Sequence, residues 1–104
     1  MVWPMSDLTG KTFIITGGNG GIGLGMAEGI VSAGGSVVIW GRNEAKNAEA
    51  VASLEALGGK AAAFVCDVTD EEQVVETTQR SAEAFGRLDG LFANAGRGGT
   101  KVPF

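Results

Sequence analysis

Short apolar runs alternate with stretches of helical periodicity along most of this chain. Thr12-Phe13-Ile14-Ile15-Thr16 is an apolar run rich in β-branched residues, Ser36–Trp40 is a second, and Ala61–Val65 and Leu88–Ala93 read as the third and fourth strands. Between them the period changes. Residues 22–33 place Ile22, Met26 and Ile30 at i, i+4 and i+8 on one face; residues 44–57 turn Val51, Leu54 and Leu57 inward. A third such segment carries Val74, Thr78, Ala82 and Phe85 as its buried stripe. Stop signals fall between the elements: Gly34-Gly35 after the first helix, Gly58 after the second and Gly86 after the third. Asn43 is placed to cap the second helix. Thr69-Asp70-Glu71-Glu72 reads as a capping box whose acids suit the positive end of the third.

The resulting order, βαβαβαβ, makes consecutive strands parallel, because short connections through a helix cross over right-handed. The expected fold is α/β: a partial, Rossmann-type doubly wound parallel sheet with strand order 3-2-1-4. Residues 1–104 are expected to form a single, incomplete domain of this type. A ligand belongs above the carboxyl ends of strands one and four, where the winding reverses. No fifth strand follows: after Asn94-Ala95-Gly96 only Arg97–Phe104 remain, loop-like in composition and heading for another helix.

The turn between the first strand and first helix is Thr16-Gly17-Gly18-Asn19-Gly20-Gly21-Ile22-Gly23. Glycines between a strand and a helix let the backbone approach a pyrophosphate, which then rests on unpaired N–H groups at the helix's positive end. Three glycine spacings are satisfied at once. Gly18, Gly20 and Gly23 fit G-x-G-x-x-G; Gly17, Gly21 and Gly23 fit T-G-x-x-x-G-x-G; Gly17, Gly20 and Gly23 fit T-G-x-x-G-x-x-G. No Lys-Ser/Thr follows the last glycine, which excludes a Walker A loop. Five glycines in the seven residues 17–23 exceed what a bare turn needs, so a dinucleotide is the expected ligand.

Composition narrows this further. A net charge of −4 without a basic stripe argues against nucleic acid as partner. Cys66 is the single cysteine and there is no histidine, so neither an intrachain disulfide nor a Cys/His zinc site is expected. The amino-terminal Met1–Asp7 lacks a basic region followed by an apolar one, and no apolar stretch approaches the ~20 residues needed to cross a bilayer. A cytoplasmic protein without membrane contact is expected.

Four motifs at element boundaries carry a family resemblance: Thr16-Gly17-x-x-x-Gly21-Ile22-Gly23, Gly41-Arg42-Asn43, Asp67-Val68-Thr69 and Asn94-Ala95-Gly96. Across about residues 8–96 the chain resembles the classical short-chain dehydrogenase/reductase family, whose members transfer hydride between NAD(P)(H) and an alcohol or carbonyl. The resemblance implies that Gly17, Gly21 and Gly23 shape the loop while Asn19, Gly20 and Ile22 line the pyrophosphate and ribose path. It further implies that Asp67 accepts from the adenine amino group, with the Val68 amide beside the ring, and that Asn94, Ala95 and Gly96 line the adenosine ribose. The lesser alternatives are a turn or capping residue for Asp67 and a strand-end turn former for Asn94.

Cofactor choice turns on Gly41 and Arg42. NAD enzymes of this fold place an acid about 20 residues past the glycines to hold the ribose 2′-hydroxyl. Gly41 stands in that place, leaving room for a phosphate, and Arg42 offers a planar fork for it. NADP is therefore favoured over NAD. The rival reading of Arg42 is an exposed residue ahead of a helix cap.

The resemblance stops short of catalysis. The family's Tyr-x-x-x-Lys pair, its serine and its catalytic asparagine have no counterparts here, and the chain contains no tyrosine. No catalytic residue is therefore assigned. Two readings follow: the amino-terminal cofactor half of a longer oxidoreductase, or a non-catalytic dinucleotide-binding module such as a redox sensor or split-protein partner. Self-association, or pairing with a carboxy-terminal half, is expected along an unpaired fourth strand.

Overall fold

Strands β1 (Thr12–Thr16) and β2 (Ser36–Gly41) are apolar on both faces, and every residue of β2 is buried. A parallel strand needs that composition when helices cover both sides of its sheet. The computed structural model describes residues 8–94. It places these two strands at the centre of a parallel sheet of order β3-β2-β1-β4, with β3 spanning Lys60–Val65 and β4 Gly90–Ala93. The three connections are helices α1 (Gly21–Ser32), α2 (Glu44–Ala56) and α3 (Glu71–Ala84). Fold class and strand order are those expected.

Alternating residues of the central strands divide the core in two. Ile15, Val37 and Ile39 meet Ala27, Ile30 and Val31 of α1 and Ala50 and Leu54 of α2. On the opposite face Ile14, Val38, Trp40 and Cys66 pack with Val74 and Phe85 of the α3 region.

The helices bury different stripes from those their bulky residues indicate. In α1 the buried line is Gly23, Ala27, Ile30 and Val31, while Ile22 is 77% exposed. Small residues at 23 and 27 let the helix axis approach the sheet, so the stripe turns by one residue relative to the Ile22–Met26–Ile30 line. In α2, Leu54 is buried with Asn47 and Ala50, but Leu57 is 56% exposed, because it is the C-cap where the chain turns towards Gly58. The inward face of α3 centres on Thr77 and Ser81, flanked by half-buried Val74, Thr78, Ala82 and Phe85. The reason is Trp40. Its indole fills the space beneath α3, and its Nε1–H donates to Ser81 Oγ at 2.9 Å, a buried bond that a larger apolar residue could not supply.

Two boundaries also move. Asp70, not Thr69, caps α3, its Oδ1 accepting from the amides of Glu72 and Gln73 at 3.0 and 3.2 Å. The fourth strand begins at Gly90 instead of Leu88. Just before it, Asp89 clamps the start of β1: its amide donates to the Thr12 carbonyl, and its carboxylate accepts from the Thr12 amide, both at 2.8 Å. Asn43 caps α2 as expected, accepting from the Lys46 amide. At one end of the described sheet, Leu91 and Phe92 of β4 are 47% and 40% exposed.

Candidate functional site

Parallel pairing aligns the carboxyl ends of all four strands, with Thr16 opposite both Trp40 and Ala93, and Gly41 opposite Val65. The segments that follow these ends therefore lie along one rim of the sheet. They carry the glycine loop, Arg42, Asp67-Val68 and Asn94, the residues that sequence reasoning singles out. Ala95 and Gly96 lie outside the described residues.

The loop leaves β1 through Gly17, whose amide donates to the Trp40 carbonyl at 2.8 Å. Gly17 and Gly21 have φ of 69° and 58°, the left-handed region that side chains with a β-carbon seldom enter. Gly23 answers a different need. A β-carbon there would run into the Gly17 carbonyl and stand 2.7 Å from Asn94 Nδ2, so the loop closes onto α1 and the end of β4 only with glycine in place. Asn94 is tied to the same corner, its amide donating to Thr16 Oγ1 at 2.8 Å.

The amino-terminal end of α1 is built unlike the other two. Asn43 and Asp70 cap α2 and α3, and acids occupy their first turns. Helix α1 starts from Gly20 with no side-chain cap and no acid in its first turn. Such a start leaves the leading N–H groups without a side-chain cap, and N–H groups of this kind, at the positive end of a helix dipole, can receive an anion. Together with the close-approach glycines, this arrangement fits a pyrophosphate.

On the β2 side, the expected room at Gly41 has another use. The position of a β-carbon on Gly41 is taken by the side-chain amides of Asn19 and Asn47. Asn19 Nδ2 donates to Asn47 Oδ1 at 2.9 Å, and Asn47 Nδ2 donates to the Gly41 carbonyl at 2.9 Å. Gly41 is therefore required so that these two amides can meet, and an acidic side chain could not be added without breaking them apart. Arg42, next in the chain, is exposed.

Asp67 closes the far end of the rim. Its Oδ1 accepts from the Thr69 hydroxyl at 2.7 Å and the Thr69 amide at 3.0 Å, and Gln73 Oε1 holds its own amide at 2.9 Å. Chiefly through the Thr69 hydroxyl, then the Thr69 amide, and with help from the Arg42 charge, its carboxyl is held below the usual carboxylate range. Asp67 is thus a turn former and an ionised acceptor at once. Val68 beside it is exposed.

Asn47 escaped the sequence reading. A signal was present: it shares the buried stripe of α2 with Ala50 and Leu54, at i, i+3 and i+7, where an amide needs a reason to be. Among the described residues no helix is long and apolar enough to cross a membrane.

The chain is similar to known proteins in both sequence and fold. The family model of the short chain dehydrogenases matches residues 11–104. The 2,5-dichloro-2,5-cyclohexadiene-1,4-diol dehydrogenase of Sphingobium indicum is 46% identical over 91 residues, covering 88% of this chain and 35% of that protein. Among solved structures, an NAD+-bound xylitol dehydrogenase superimposes with a TM-score of 0.83 at 37% identity, over 86% of this chain and 35% of the other. An NADPH-dependent 3-quinuclidinone reductase from Rhodotorula rubra gives a TM-score of 0.77 at 39% identity, over 84% and 33%. The chain thus spans about a third of the length of the relatives it matches.

Proposed function

The chain belongs to the short chain dehydrogenase family, and on that premise we propose that it is the cofactor-binding part of an oxidoreductase, holding NADP(H) in preference to NAD(H). The observation that carries the reading is the uncapped start of α1 beneath a loop whose glycines are needed for close approach. The bound dinucleotide would carry the hydride, and the residues of this chain would hold and orient it. Gly17, Gly20, Gly21 and Gly23 bring main-chain N–H groups against the pyrophosphate, with Ile22 over its path. Asn19 and Arg42 face the adenosine ribose, where the Arg42 fork suits a 2′-phosphate. Asp67 and Val68 receive the adenine, and Asn94, Ala95 and Gly96 the ribose between.

Relatives of both cofactor types share the fold, so the preference rests on residues 41 and 42 of this chain. With the place beside Gly41 filled by neutral amides, no carboxylate stands there to hold a 2′-hydroxyl or repel a 2′-phosphate. Calorimetric titration with NADPH and NADH tests this. Tighter binding of NADPH is expected, with Arg42→Ala losing about ten- to a hundredfold in NADPH affinity and little for NADH. Equal curves for both cofactors would sink the assignment of Arg42.

A second reading, binding without turnover, is favoured by one observation: the chain contains no tyrosine to exchange a proton with a substrate oxygen. Under it, the purified chain binds NADPH but consumes none with any carbonyl compound. Turnover that is lost on Gly21→Val would contradict it.

A further inference from the structure

The two amides beside Gly41 form a chain whose direction is forced. A backbone carbonyl only accepts, so the Gly41 oxygen requires the NH2 of Asn47 to face it. Asn47 Oδ1 must then face the glycine loop, and Asn19 must present its own NH2 to it. Asn47 is 3% exposed and sits within α2, so it is the fixed member; Asn19, on the loop, is the one being held. No buried side-chain nitrogen or oxygen of the described residues lacks a partner. Among the described residues the Asn19 side chain makes no other hydrogen bond, and its Oδ1 is not fully buried, so that edge of the amide is open to a ligand at the rim.

We infer that Asn47 is a positioning residue that pins Asn19 against the end of β2, so that the free edge of the Asn19 amide, beside Arg42, addresses the 2′ substituent of the adenosine ribose. This rests on the dinucleotide reading above and deepens it. The carboxylate that an NAD enzyme carries at this place is replaced here by an amide borrowed from the loop and locked by α2. An amide offers both a donor and an acceptor. It can donate to a 2′-phosphate alongside Arg42 without the repulsion that a carboxylate would bring. Held by its inner N–H, Asn19 meets the ligand with its rotamer already chosen, so binding does not have to order it.

The test is a double-mutant cycle read in affinity, using NADPH and NADH as probes of the full chain. Asn19→Ala and Asn47→Leu should each weaken NADPH binding about tenfold, the loss of one hydrogen bond to a charged group. NADH should lose much less. The double variant should bind NADPH no more weakly than either single one, because Asn47 acts only through Asn19. Additive losses, or losses equal for both cofactors, would overturn the inference while leaving the dinucleotide reading intact. Absence of NADPH binding by the unaltered chain would overturn both. Because Asn47→Leu removes a buried bond and could fail to fold, the Asn19 side-chain NH2 is also followed by NMR in the unaltered chain. One proton protected from solvent exchange is expected; two freely exchanging protons would overturn the pinning without any variant.

Discussion

The same substitution, glycine to alanine, should act with opposite sign at two places on α1. Gly29 lies in the helix interior with nothing near the place of a β-carbon, so Gly29→Ala meets no atom and reduces the freedom of the unfolded chain. The expected gain is about 0.5–1 kcal/mol. For a domain of this size that raises Tm by about 2–8 °C, with NADPH affinity unchanged. At Gly23 the added methyl meets the Gly17 carbonyl, which is main chain and has no rotamer to give, and Asn94 Nδ2 at 2.7 Å. Overpacking of this kind costs about 1–3 kcal/mol. Set against the same helix-propensity gain of about 1 kcal/mol, the net is a loss of up to about 2 kcal/mol. The larger effect is on binding, because the strain is relieved most easily by pushing the loop off α1, and the loop is what meets the pyrophosphate. Urea denaturation and NADPH titration of both variants give the comparison. If Gly23→Ala matches Gly29→Ala in both stability and affinity, the close approach of loop to helix is not what shapes the site.

Other outcomes follow from single contacts. Ser81→Ala strands the buried Trp40 N–H and should cost about 1–3 kcal/mol, a fall in Tm of at least about 4 °C; an unchanged Tm would show that the indole finds another acceptor. Asp67 and Asp89 titrate below their ordinary value near 3.8, the first chiefly through the Thr69 hydroxyl and the second chiefly through Arg87. Their stabilisation is present in full above that value and disappears as pH falls through their lowered native pKa values. The acid limb of a Tm-against-pH curve below pH ~4 should therefore be flatter in Asp67→Asn and Asp89→Asn, and an unaltered slope would count against these contacts. Leu91 and Phe92, exposed on the last described strand, should drive concentration-dependent association, reduced by Leu91→Lys; sedimentation as a monomer at all concentrations would refute this.

What could be read from the chain alone was set by how local each signal is. Strand order, helix order and the glycine loop were legible because turn chemistry and apolar runs act over a few residues, as at Gly17, Asn43 and Gly58. The buried stripes were not, because they depend on which neighbour fills the gap. Ile22 gave way to Gly23 since the loop carbonyl lies against α1, and the face of α3 turned to Ser81 since Trp40 carries an N–H. Asp70 displaced Thr69 as cap because Thr69 is drawn to Asp67. The Gly41 position stood out in the sequence for the room it was expected to leave, yet that room is filled by Asn19 and Asn47, which are 28 residues apart and meet only in the folded chain.

The claim that the glycine loop and the uncapped start of α1 form a dinucleotide site is tested most directly by amide NMR during NADPH titration. Saturable shifts concentrated at the amides of Gly17–Gly23, with smaller ones at Arg42 and Asp67, are expected. Shifts confined to another surface, such as the 560 Å³ groove lined by Val51, Glu55, Phe64 and Arg80, or no shift at millimolar NADPH, would contradict it.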